Sequence, residues 1–184
     1  MRKIVAGLFI SLDGVIESPQ DWHFPYFNDE MGNVVTEQVD ASDTMLLGRV
    51  TYESFAAYWP QQGSDVPLAD RMNSVPKLVV SSTLDTVDDW QNSTLIQGDV
   101  VAALTAIKEQ PGANISIVGS PTLVRTLLRD GVLDELDLLV HPIVVGKGQR
   151  LFPEGSDMQG LELVRSETLK TGVVRLVYRA APAE

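Results

Sequence analysis

Cysteine is absent from this chain of 184 residues, so neither disulfides nor thiol chemistry enter its stability or function. Histidine is scarce: His23 and His141 stand alone, and without cysteine they cannot furnish a usual zinc-binding set. Basic residues are also few, 14 against 25 acids. The resulting net charge of −11 excludes the broad basic footprint that nucleic acid or an anionic membrane would require. A local basic pocket remains allowed. No apolar run reaches the ~18 residues of a membrane span. The N-terminal apolar stretch is short, meets Ser11 and Asp13, and is followed by no small-residue cleavage site, so it does not read as a signal peptide. Internal repeats and low-complexity segments are missing as well. A cytoplasmic protein with a single domain over residues 1–184 is expected.

What is present is ample apolar content, 44% of residues, and two segments of similar design. Thr44-Met-Leu-Leu-Gly-Arg-Val-Thr-Tyr-Glu53 and Asn114-Ile-Ser-Ile-Val-Gly-Ser-Pro-Thr-Leu123 each drive a short apolar run into glycine and then open a helix. Such a junction aims free backbone N–H groups and the positive end of the helix dipole beyond the strand, which suits an anion. Ser120 is placed to cap the second helix, and Pro121 fits its first position, where a missing N–H costs nothing. Gly119 allows a phosphate to approach the main chain. At the first junction, Gly48 plays the same part while Arg49 adds a planar charged fork and Thr51 a hydroxyl. Two junctions of this kind point to a ligand with more than one phosphate.

Along the chain, strands and helices alternate at first. Strands are expected over residues 4–12, 44–47, 77–81, 94–97 and 115–118, with helices over 28–39, 50–58, 100–108 (capped by Asp99) and 121–129. After Asp130-Gly131 the pattern changes to strands over 135–145, 161–168 and 173–179 without helices between them. The sheet is therefore expected to be mixed, parallel early and antiparallel late.

The segment Leu-Leu-Gly48-Arg49-Val-Thr51-Tyr52-Glu53-Ser54-Phe resembles the Gly-Arg-x-Thr-(Trp/Tyr)-Glu-Ser segment of dihydrofolate reductases. Val79-Val-Ser81-Ser82 is similar to their adenosine-side strand, and Ile117-Val-Gly119-Ser120-Pro-Thr-Leu to their diglycine turn. Ser11-Leu-Asp13-Gly14 and Pro142-Ile-Val-Val-Gly146-Lys-Gly148-Gln-Arg-Leu-Phe152 resemble the C-terminal reductase domain of the bacterial riboflavin-biosynthesis deaminase/reductases. The resemblance implies a dihydrofolate reductase-like three-layer α/β/α fold around a mixed central sheet of about eight strands. It also implies NADPH as cofactor. Gly48, Arg49 and Thr51 would then face the pyrophosphate and 2′-phosphate, and Ser81 and Ser82 the adenosine ribose. Gly119, Ser120, Pro121, Thr122 and Leu123 would lie under the pyrophosphate and nicotinamide ribose, with the main chain of Ala6 at the nicotinamide carboxamide. By their residue types alone, Ser81 and Ser82 serve equally as a strand-end turn.

On the substrate side, Trp22-His-Phe-Pro25 is similar to the Trp-x-x-Pro segment of dihydrofolate reductases, but Phe27 stands where those enzymes carry an acid. Three carboxylates are candidates for its role: Asp29 and Glu30 in the first turn of the following helix, and Asp13 in the Ser-Leu-Asp-Gly segment. First-turn acids also simply suit a helix dipole, and Asp-Gly is an ordinary turn. Trp22 and His23, with Tyr52, are the expected substrate contacts, although the aromatic residues near 22–27 could instead pin their loop to the core. The implied activity is hydride transfer from NADPH to a small heterocycle, such as a riboflavin-pathway pyrimidine intermediate or a pterin. A non-catalytic NADP(H)-binding sensor is the alternative. No metal is expected, and a homodimer is, because such reductase domains usually pair and the late strands are more apolar than one solvated face needs.

Overall fold

A computed structural model describes residues 1–181. Its elements are β1 (Ile4–Ser11), α1 (Asp29–Asp40), β2 (Ser42–Gly48), α2 (Arg49–Ala56), α3 (Ala69–Ser74), β3 (Lys77–Val80), β4 (Ser93–Ile96), α4 (Val100–Lys108), β5 (Asn114–Val118), α5 (Pro121–Arg129), β6 (Glu135–His141), β7 (Leu161–Thr168) and β8 (Val174–Ala180). The eight strands form one sheet in the order β4-β3-β2-β5-β1-β6-β8-β7. From β4 to β6 every pairing is parallel, and β6-β8-β7 is antiparallel. Long crossovers, most of them helical, let neighbouring strands run parallel, whereas β7 and β8, joined by a short turn at Gly172, run antiparallel.

Alternation along each strand decides what each face meets. Ile4, Ala6, Leu8 and Ile10 of β1 turn to one face, where Leu104 of α4 and Leu123, Val124 and Leu127 of α5 cover them. The intervening Val5, Gly7 and Phe9 turn to the opposite face, which α1 and α2 cover only in part. Met31 and Val34 of α1 pack on Leu139 of β6. Tyr52 of α2 packs with Met45, Leu47 and Trp90. A gap remains between these two helices above β5 and β1.

The helix starts follow their local chemistry. Asn28 caps α1 by accepting from the Met31 N–H at 3.0 Å, and Asp99 caps α4 by accepting from the Ala102 N–H at 3.0 Å. β6 ends at His141 rather than at the expected 145, because Pro142 cannot donate to a ladder and the chain turns away there. No sequence signal marked α3, whose N-cap Leu68 is left-handed (φ 68°) and makes no side-chain cap. Among the described residues no helix is long and apolar enough to cross a membrane.

Candidate active site

The two glycine junctions meet. Ser120 does not cap its own helix; it lies in the left-handed region (φ 53°), directly after Gly119 (φ 68°). Its hydroxyl instead accepts from the Gly48 N–H at 2.9 Å and donates to Thr51 Oγ1 at 2.8 Å. The Ser120 N–H donates to the same Thr51 oxygen at 3.1 Å. These three bonds hold a backbone conformation that serine rarely adopts, and they lock the N-terminus of α2 against that of α5. Because Thr51 Oγ1 accepts from both groups, its own proton is left to donate. Glycine at 119 supplies the left-handed turn, where any side chain would be strained, and leaves the surface beside Thr51 bare.

Thr51, Gly119, Ser120 and Pro121 form one end of a cavity of about 680 Å³. From there the cavity runs across the sheet from β5 to β8, three strand spacings or about 14 Å. Val5, Gly7 and Phe9 are in its floor, residues 16–20 and Gln149 in its rim, and Val35 and Gln38 of α1 in its wall. β1 pairs with β5 only over residues 4–7 but with β6 as far as Ser11. From Leu8 to Ile10 the β5-facing edge of the strand is therefore open beside Gly119, offering main-chain groups to a flat ring, until the Ser11 N–H bonds the Val15 carbonyl at 2.9 Å. Ala6, whose main chain was expected at the carboxamide, lies just before this opening: its methyl is buried in the α4–α5 core, and its strand is paired on both sides there.

Beyond Gly7 the wall is charged. Asp137 lies beside Gly7 in register. Its carboxylate accepts from Arg175 Nη2 at 2.7 Å and from Arg175 Nε at 3.1 Å, and Arg175 Nη1 reaches Glu37 at 2.9 Å. Asp137 is 3% exposed and Arg175 5%. The two carboxylates hold the Arg175 guanidinium firmly charged despite its burial, and the Arg175 bond in turn holds Glu37 below the ordinary carboxylate range. The carboxamide of Gln38 lies across Gly7, where an added Cβ would stand 3.3 Å from Oε1, and its Nε2 is buried without a hydrogen-bond partner. None of these four residues was singled out in the sequence. The available signal was a charge inside an apolar strand, Asp137 in Glu-Leu-Asp-Leu-Leu-Val-His and Arg175 in Val-Arg-Leu-Val-Tyr.

The three candidate acids lie elsewhere. Asp13 Oδ1 accepts from the Ser11 hydroxyl at 2.7 Å and the Val145 N–H at 3.0 Å, while Oδ2 accepts from the Gly146 N–H at 2.9 Å. The Ser11 bond first, then the two main-chain bonds, lower its pKa to about 2. That is a clamp on the loop after β6, and the opposite of a proton donor. Glu30 accepts from the Lys170 N–H at 2.8 Å on the outer side of α1, and neither it nor Asp29 lines the cavity.

Nor does the aromatic loop reach in. Trp22 donates its indole N–H to the Glu17 carbonyl at 3.1 Å and sets its ring against His141 at 5.2 Å. His23 stacks on Phe9 at 4.7 Å. Burial lowers the pKa of both histidines; His23 Nδ1 has no partner, and neither has His141 Nε2, whose other nitrogen bonds the Leu139 carbonyl at 2.8 Å. These rings pin the loop, and residues 16–20 just before them form the cavity rim. Tyr52, 1% exposed, belongs to the α2–Trp90 core. Arg49 forms an exposed pair with Glu53 at 2.8 Å, one turn along α2. Ser81 Oγ accepts from the Thr83 and Leu84 N–H groups, closing a turn, and Ser82 is exposed. Thr122 bonds Arg125 on the outer side of α5, and Leu123 is core.

This sheet order and cleft define a dihydrofolate reductase-like domain. Dihydrofolate reductase from Enterococcus faecalis, solved in a complex with NADP(H), superposes with a TM-score of 0.65 at 16% identity over 98% of this chain and 97% of that one. The chain itself belongs to the RibD C-terminal domain family, which its residues 2–175 match. A putative riboflavin biosynthesis protein from Shewanella sp. PV-4 superposes with a TM-score of 0.71 at 24% identity, covering 99% of this chain and 100% of that one. RibD from Acinetobacter baumannii gives 0.66 at 16% identity, 99% of this chain matching 59% of that longer one. In sequence, the chain is 30% identical to YyaP, an uncharacterized protein of Bacillus subtilis (strain 168), over 96% of its own length and 94% of the relative's.

Proposed function

We propose that this protein is an NADPH-dependent reductase that transfers a hydride to a small pyrimidine- or pterin-like ring. The observation that carries this reading is the cross-linked pair of helix N-termini at residues 48–51 and 119–121, opening directly onto a cavity that continues beneath the free edge of β1. Backbone N–H groups, the Thr51 hydroxyl and the glycine opening at 119 fit a pyrophosphate. Arg49 fits the 2′-phosphate, since its surface pair with Glu53 holds it by only about 0.5 kcal/mol. NADPH, when bound, supplies the hydride; the chain supplies position and electrostatics.

The residues 8–9 edge orients the carboxamide of the nicotinamide, and Phe9, Val35 and Leu139 keep water from the reacting face. The acids that line the cavity are all engaged: Glu17 with the Gln149 N–H, Glu135 with Lys3, and Glu37 and Asp137 with Arg175. We therefore assign proton delivery to water. Titration of NADPH and NADH by tryptophan fluorescence tests the reading. NADPH should bind at least about tenfold more tightly than NADH, as charge-assisted contacts of about 1.5–3 kcal/mol imply, and Arg49→Ala should abolish the difference. Equal dissociation constants for the parent would remove the Arg49 assignment. Tight NADPH binding with no oxidation across a broad ring panel would favour a sensor.

A further inference from the structure

The charge of the cavity restricts what can be reduced there. Glu17, Glu37, Glu135, Asp137, Arg165 and Arg175 line it, and among the described residues no lysine does. Arg175 is the buried cation, and it is saturated: it gives Nε and Nη2 to Asp137 and Nη1 to Glu37, and at 5% exposure it cannot swing out. Arg165 stands at the mouth, half exposed, in surface pairs with Glu167 at 2.8 Å and Glu37 at 3.5 Å. An anionic group entering past that mouth would meet four carboxylates against two guanidiniums, with the one buried cation already taken by its own acids and nothing there to replace the lost hydration. Only the opposite end, at Thr51 and residues 119–121, is built for phosphate, and the proposed cofactor takes it. Glu37 keeps a half-exposed carboxylate toward the opening, held ionised by Arg175. Beside it the buried, unpartnered Nε2 of Gln38 awaits an acceptor, and Gly7 gives the carboxamide room to lie flat.

Resting on the reductase reading of the cofactor end, we infer that the substrate is a neutral or cationic nitrogen heterocycle carrying neither phosphate nor carboxylate. Glu37 receives its N–H groups and the Gln38 carboxamide reads its carbonyl or ring-nitrogen edge. A ring with a phosphorylated sugar arm is thereby excluded. The test is calorimetric titration of 2,4-diaminopyrimidine, uracil and orotate, and of uridine against uridine 5′-monophosphate, into protein saturated with NADPH so that the helix N-termini are filled. Diaminopyrimidine and uracil should bind at least about tenfold more tightly than orotate, and uridine more tightly than its phosphate. Glu37→Gln, on the exposed side of the cluster, should narrow each gap several-fold. An anionic probe that binds as tightly as its uncharged counterpart overturns the inference, as does a gap unchanged in Glu37→Gln, or no binding by any probe. If NADPH itself fails to bind, the reductase reading falls; diaminopyrimidine and uracil, which carry no anion for the open helix N-termini, are then titrated into the protein alone and into Glu37→Gln. Several-fold weaker binding of the diaminopyrimidine to the variant sustains the inference, and unchanged binding overturns it.

Discussion

Replacing Thr51 by valine removes one oxygen and keeps nearly the same shape, so it isolates the bond that joins the two helix N-termini. In the parent that oxygen accepts from the Ser120 hydroxyl at 2.8 Å and the Ser120 N–H at 3.1 Å. Each such bond contributes about 1 kcal/mol net, and valine and threonine differ little in helix propensity. The variant should therefore lose about 2 kcal/mol, or about 4–8 °C in Tm for a domain of this size. Urea denaturation would give the loss, with an unchanged m-value showing that the unfolding surface is the same. A second effect is expected in the same variant. The Thr51 proton no longer reaches a ligand phosphate, and the left-handed Ser120 is no longer held, so NADPH affinity should fall about tenfold or more. The two losses must appear together. A variant as stable as the parent would show that the cross-link contributes nothing, and one that is destabilised yet binds NADPH unchanged would remove Thr51 from the cofactor site.

Arg175→Met should cost about 3–5 kcal/mol in urea denaturation because it leaves the Asp137 carboxylate buried and unpaired, whereas adding Asp137→Leu should restore most of the loss; a single variant within about 1 kcal/mol of the parent would contradict the burial of the pair. Acid should weaken the fold in the window just below pH 6.5, the ordinary histidine value, because His23 and His141 are buried neutral while the unfolded chain takes up protons first. Tm should thus fall between about pH 7.5 and 5.5, less so in His23→Phe, and a Tm that holds or rises on acidification would refute this sign. Light scattering should report a dimer, formed through the β7 edge where Leu163 and Val164 are about half exposed; a 20.1 kDa species at micromolar concentration would exclude it.

Much of the fold was legible because its signals are local. Asp99 fixed the start of α4 to the residue, and a continuous apolar run marked β1 as a strand, although only its Ile4, Ala6, Leu8 and Ile10 face is fully buried and the other is the cavity floor. The two glycine junctions could be read individually, but their bond to one another joins residues about 70 apart and follows from topology alone. The same holds for the charged wall. Asp137, Arg175 and Glu37 come from three elements, and no spacing rule connects them. The aromatic residues at 22–27 allowed either a pocket or an anchor; the neighbourhood of His141, supplied by β6, makes them an anchor. α3 was missed because Leu68 gives no capping signal and takes a conformation that leucine seldom adopts.

The Asp13 clamp sets the order in which acid takes the molecule apart. Its carboxylate stays ionised down to about pH 2, so its contribution, present above the ordinary 3.8, fades only between those values. The cost of keeping His23 and His141 neutral begins near the ordinary histidine value of 6.5, more than two pH units earlier, where the unfolded chain takes up protons. Mild acid should therefore loosen the aromatic segment 22–27 while residues 145–150 are still tied to the end of β1 by Asp13 and Arg150 and to residues 16 and 17 through Gln149. The rim of the cavity would keep its tie to the sheet while the aromatic loop beside it let go, and the first acid form of the protein would be a loosened loop on an intact sheet.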